Sequence, residues 1–113
     1  MRLREQLEYA AKACGHTLAD EYFFKGDVRL PPKGQEHIHD SLYWNPLTDQ
    51  ADSDRMGAKL RIDTCFFDGY VSTGYADNKD LSAARKHNNT DEDVCRAVRE
   101  ARLAVAVEIG RMK

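Results

Sequence analysis

Several side chains in this chain are of types that do chemistry, and their spacing limits which chemistry. Asp49, Asp52 and Asp54 crowd one short stretch. Oxygen ligands grouped in this way suit Mg²⁺. They also stand where a helix is about to start, and carboxylates there are favoured by roughly 0.3–1 kcal/mol each through the helix dipole alone. The dipole reading needs no ion, and we take it. His37 and His39 alternate, so in an extended segment both point to one side. A metal centre needs three or four ligands at fixed spacing. His16, His87, Cys14, Cys65 and Cys95 do not supply it, so surface or hydrogen-bonded histidines are expected and no metal. The three cysteines are widely spaced with no C-x-x-C, which reads as reduced, mostly buried thiols. Arg85-Lys86-His87 could touch phosphate, but the run is short and flanked by acids. There is no glycine-rich phosphate loop, no G-x-S-x-G and no H-E-x-x-H. Neither Cys14-x-His16 nor Cys65 has an identifiable base and orienting group. No catalytic residue, cofactor or metal site is therefore assigned.

The elements that position these residues follow from periodicity. Leu3, Leu7, Ala10, Ala11 and Cys14 form one helical stripe, predicting a helix over roughly 2–14 with Gly15 beyond its end. A strand is predicted over about 17–24, a turn at Lys25-Gly26-Asp27, and a short return strand at Val28-Arg29-Leu30, stopped by Pro31-Pro32. Residues 31–41 read as a loop.

Tyr43-Trp44-Asn45-Pro46-Leu47-Thr48-Asp49 is the stretch the rest of the chain is organised around. Pro46 pushes Asn45 towards an extended conformation. Thr48 is expected to cap a helix running to Leu60. Ser53, Met56, Gly57 and Leu60 share one face of it, and Gly57 would admit a sheet closely. Trp44 is expected to be buried beside the helix start. Leu60, Ile62, Thr64 and Phe66 then alternate with Arg61, Asp63, Cys65 and Phe67, which is a strand. Asp68-Gly69 predicts a two-residue type I′ turn into a return strand over 70–75. Residues 76–89 are polar and are expected to form a mobile loop. Thr90-Asp91-Glu92-Asp93 opens the final helix. Val94, Ala97, Val98, Ala101 and Val105 make its core stripe, and the helix is expected to end near Ile109, with Gly110 just beyond.

The result is an α+β fold in one domain, 1–113, ordered α-ββ-α-ββ-α. Its sheet is small, mainly antiparallel, of about four strands, and flanked by helices. Net charge is −2, so no strong field attracts nucleic acid or a membrane. No apolar run spans a bilayer and no signal-peptide core is present, so a cytoplasmic protein is expected.

The run Trp44-Asn45-Pro46-Leu47-Thr48-Asp49, with Asp52, Met56 and Leu60, resembles the core signature of the phage ABA-sandwich domain family. Ala104 to Gly110 resembles that family's final helix, and Ala10 to Gly15 its first. The resemblance implies helices on both faces of the sheet, as in an α/β/α sandwich, and a bacteriophage origin. It implies no active site. The segments 28–42 and 75–89 depart from the pattern.

Taken together, the expectation is a phage accessory protein of the host cytoplasm that binds another protein without catalysis. Inhibition of a host defence system such as CRISPR is one such role. The alternatives are a nucleic-acid-associated protein, using Tyr70 and Tyr75 with Lys79, Arg85 and Lys86, and a small enzyme of unspecified chemistry. The partner-binding candidates are Leu103, Val107, Arg85 and Lys86. Leu103 and Val107, with Ala106, form a second apolar stripe on the final helix. A second copy could cover that stripe in a homodimer; helix 1 of the same chain could cover it instead.

Overall fold

A computed structural model describes residues 2–15, 23–24, 27–29 and 43–113. Its elements are α1 (Leu3–Ala13), β1 (Phe23–Phe24), β2 (Asp27–Arg29), β3 (Tyr43–Trp44), α2 (Gln50–Leu60), β4 (Ile62–Phe67), β5 (Tyr70–Tyr75), β6 (Asn78–Lys86) and α3 (Asp91–Met112). Two antiparallel sheets form, a short one ordered β1-β2-β3 and a longer one ordered β4-β5-β6. The α+β class is as expected. The strand count differs, because the polar segment after Tyr75 is not a loop. It is β6, hydrogen-bonded along β5 from Tyr70↔Lys86 to Tyr75↔Asn78 with one register shift at Gly74/Tyr75.

α3 is the central element. One side of it lies on the longer sheet, where Ala97, Val98 and Ala101 bury Val71. The buried Thr73 hydroxyl fixes this contact by donating to the Ala101 carbonyl at 3.0 Å. Another side meets α1, in one buried cluster that joins Leu7, Ala10, Ala11 and Cys14 to Leu103, Val105, Ala106, Val107 and Ile109. Met56, Leu60 and Ile62 extend the cluster to α2 and β4. A helix apolar on most of its circumference is thus buried on more than one side, as its sequence requires.

Gly110 shows how close the α1 contact is. A Cβ added there would overlap the Tyr9 carbonyl of α1. The sequence pattern places Gly110 just beyond the helix end, yet α3 continues to Met112. Its glycine is spent on backbone approach rather than on a left-handed cap. Gly57 differs from expectation in a related way. Its nearest neighbour is not a sheet but the Arg102 side chain, 3.3 Å from where a Cβ would stand.

The start of α2 also differs. Thr48 lies in a turn, and Asp49 is the N-cap, its carboxylate accepting the Asp52 N–H at 3.0 Å. Asn45 prepares this turn by accepting the Leu47 N–H on its side chain at 3.0 Å. A carboxylate at the cap is favoured over a hydroxyl by the helix dipole as well as by the hydrogen bond. At the other hairpin the two-residue turn Asp68-Gly69 is present, between the pair Phe67↔Tyr70. Only Gly69 has positive φ, +80°. That is the sign pattern of a type II turn, not of the type I′ expected. The expected strand start at 17–22, the turn residues Lys25 and Gly26, the loop 31–41 with its histidines, and the Trp44 side chain lie outside the described residues.

Candidate protein-binding surface

The acidic cluster of α2 is taken up by the chain itself. Asp49 caps the helix. Asp52 is buried and accepts the Asn45 N–H at 3.0 Å and an Arg55 N–H at 2.7 Å. Asp54 accepts from Arg102 at 2.5 Å, and that hydrogen bond holds its carboxyl below the usual carboxylate range. Among the described residues no group of three or more His, Cys, Asp or Glu side chains could hold a metal ion. Cys14 is buried in the core, and burial pushes its thiol up to about 11. Cys65 and Cys95 are exposed, against the expectation of mostly buried thiols.

The four partner-binding candidates divide. Leu103 and Val107 are 2% and 5% exposed, respectively. They share the cluster that α1 enters, and Gly110, one turn on, lies against the backbone of Tyr9 in α1. The stripe therefore faces α1 of the same chain, and a homodimer through it has no surface to use. Arg85 and Lys86 are neighbours on β6, so their side chains leave opposite faces of the sheet. Arg85 turns towards α3 and lies 3.9 Å from Glu100. Lys86 is exposed on the other face, opposite Tyr70. They do not make one phosphate site. Arg96, near by, is held by Asp93 and Glu100 at 2.6 Å each and donates to the Lys86 carbonyl. Those carboxylates raise its pKa, and Arg96 in turn lowers that of Asp93. Tyr75 and Lys79 sit at the far end of the sheet from Tyr70, and Asp77 and Asp80 flank Lys79 in sequence. The arrangement interleaves charge of both signs.

The exposed feature that sequence reasoning missed is the aromatic cluster at the tip of the β4–β5 hairpin. Phe66, Phe67 and Tyr70 are 64%, 47% and 42% exposed. Phe67 and Tyr70 flank the turn and stack, with ring centroids 4.7 Å apart and planes within 9°. Both rings stand on the sheet face away from α3. Along that face Cys65, Ser82, Ala84 and Lys86 are also exposed, and among the described residues no second helical layer covers them. A shallow hollow of about 320 Å³ beside Tyr70 is lined by Gly69, Ala84, Arg85 and Lys86. The signal was present in the sequence. Adjacent Phe66 and Phe67 must point to opposite faces, so both are buried only if both faces are covered. By register Phe67 lies on the open face beside Tyr70, while Phe66 lies on the α3 face opposite Val71 and is exposed at the strand edge.

Comparison with protein-family models, with curated proteins and with solved structures found no match for this chain.

Proposed function

We propose that this chain is a non-enzymatic protein-binding module that docks its partner on the uncovered face of the β4-β5-β6 sheet, around Phe67 and Tyr70. The observation that carries the reading is the exposed, stacked ring pair on a strand scaffold. Aromatic side chains are enriched at interface centres because they bring large apolar area with few rotatable bonds. Both rings sit at fixed positions of a hydrogen-bonded hairpin, so little side-chain freedom is lost on binding. The small side chains beside them, Ser82 and Ala84, leave room for a partner to approach the sheet. The acidic residues that would suit a catalytic metal are engaged in capping and ion pairs. A phage origin, action in the host cytoplasm and interference with a defence system such as CRISPR rest on the resemblance of the Trp44–Asp49 run.

The test uses the full chain and a Phe67→Ser, Tyr70→Ser variant as baits in lysates of phage-infected cells. Quantitative mass spectrometry is expected to find a protein enriched by the parent and reduced on the order of tenfold or more with the variant. The variant must retain the parental far-UV spectrum. Equal capture by both baits overturns the proposed surface. Capture that disappears on nuclease treatment moves the reading to nucleic acid. Restored plating of a targeted phage on a CRISPR-bearing host expressing the parent, and not the variant, supports the anti-defence role.

A further inference from the structure

The two edges of the longer sheet are built differently. β6 carries Lys79, Asp80, Arg85 and Lys86, and its pairing with β5 breaks register at Gly74/Tyr75. Charges and bulges are what discourage strand addition. β4 has neither device beyond Asp63, and its ladder to β5 runs unbroken from Ile62↔Tyr75 to Phe67↔Tyr70. Its last three residues, Cys65, Phe66 and Phe67, are all exposed. The hydrogen-bond phase is also defined. The Ala76 N–H donates to the Arg61 carbonyl at 3.1 Å, and in an antiparallel ladder bonded pairs alternate. Arg61, Asp63, Cys65 and Phe67 therefore direct backbone groups towards β5. Ile62, Thr64 and Phe66 direct theirs to the open edge, where no described strand pairs with them.

We propose that two copies of the chain pair through this edge, β4 antiparallel to β4, with Thr64 opposite Thr64 on a two-fold axis. This register uses every outward backbone group of the strand, because Ile62 of each copy then faces Phe66 of the other. A two-fold centred one residue later sets Ile62 against Asp68 in the turn and loses that pair. The side chains agree with the choice. Phe66, 64% exposed, comes opposite Ile62 of the second copy, whose side chain is already buried in its own core at 7% exposure, so the ring gains cover at the strand edge and the backbone bonds carry the pairing. Asp63 faces Cys65 of the second copy, so no like charges are opposed. Arg61 falls beside Phe67 and Asp68 of the second copy, placing a cation at an acidic end twice by symmetry. The contact is isologous and closes at two copies, because the outer edges are then both β6. The proposal does not rest on the partner-binding reading. It would leave the Phe67–Tyr70 face open on both copies and merge the two faces into one surface.

Chromatography with light scattering over a concentration series to about 100 μM tests the dimer. The expected parent mass is twice 12.9 kDa. Phe66→Pro removes only an outward N–H and an exposed ring, a change that edge strands tolerate. It is expected to raise the dimer dissociation constant on the order of tenfold or more, with the far-UV spectrum retained. Asp63→Cys tests the register. Mild oxidation is expected to link it to Cys65 of the second copy, at a Cα separation suited to a disulfide, and the link is expected to vanish in Asp63→Cys with Cys65→Ser. A parent that stays at the monomer mass overturns the proposal. So does a dimer that folded Phe66→Pro leaves intact, or one in which Asp63→Cys gives no cross-link to Cys65. Should Phe66→Pro fail to fold, the cross-link decides.

Discussion

Gly110 of α3 lies directly against the carbonyl of Tyr9 in α1, and no side chain at position 110 fits between them. The two helices touch through backbone at this point. Gly110→Ala gains roughly 1 kcal/mol in helix propensity and loses more by forcing the helices apart. We expect a net loss on the order of 2 kcal/mol, in the range of overpacked cores. Urea denaturation measures it, and an unchanged or higher midpoint would show that α1 does not dock here. Gly57→Ala is the control. Its neighbour is the flexible end of Arg102, so the change is expected to be neutral or stabilising by up to about 1 kcal/mol.

Arg102 ties three elements together. It donates to Thr64 of β4 at 3.2 Å and to Ser53 and Asp54 of α2 at 3.5 and 2.5 Å. Its hydrogen bond lowers the pKa of Asp54 from 3.8. A carboxyl depressed in the folded state stabilises the fold above its unfolded value and loses that contribution as pH falls through the folded value. Arg102→Met is expected to return Asp54 to the ordinary range, as read by carbon-detected carboxyl titration. Acid unfolding of the variant should then show a weaker dependence on pH below about 4. An unmoved Asp54 titration would contradict the contact.

The cysteines should separate by reactivity. Cys65 and Cys95 are exposed, and Cys14 is buried with its pKa raised to about 11. A thiol reagent at mildly alkaline pH is expected to label Cys65 and Cys95 at once and Cys14 only as the chain unfolds. Because the folded value lies above the ordinary 9.0, the thiol's contribution to stability is complete below that pH. It is lost as pH rises towards the folded value. Equal labelling of all three in the native protein would refute the packing of α1.

Asn89 has φ +67° and accepts the Gly69 N–H on its side chain at 3.0 Å, joining the hairpin turn to the α3 start. Asn89→Gly keeps the backbone conformation and loses the bond. Asn89→Ala loses both and is expected to be less stable than Asn89→Gly by roughly 1 kcal/mol. Thermal melting of the pair tests the order; Ala equal to or above Gly would be the contrary result.

Legibility in the sequence followed how local each cause was. The β4–β5 hairpin could be read because Asp68-Gly69 sits between two alternating runs. α1 could be read because its stripe is unbroken from Leu7 to Cys14. β6 could not. Its inward residues, Leu81, Ala83 and Arg85, are only half buried, so the alternation against Ser82, Ala84 and Lys86 has little contrast. Its order comes from backbone bonds to β5, which composition does not record. The role of Gly110 was hidden for a similar reason, since it is set by Tyr9 from the far end of the chain. The candidate surface was legible in part. The adjacency of Phe66 and Phe67 marked it, but whether both faces of the strand are covered is decided by the tertiary arrangement.

α3 has a further consequence for how the protein comes into being. β5, β6, α1 and α2 all bury their apolar faces against it, yet it is the last of these elements to be synthesised. Until α3 has left the ribosome, the earlier elements have no common surface to collapse on. The nascent chain must hold Leu7, Met56 and Val71 in water, or in a chaperone, throughout elongation at roughly 5–20 residues per second. Tyr9 then meets Gly110 across nearly the whole sequence, a contact whose loop-closure entropy places α1 docking late. Folding of this domain waits until α3 has been made, and a chain truncated within α3 has no core to keep.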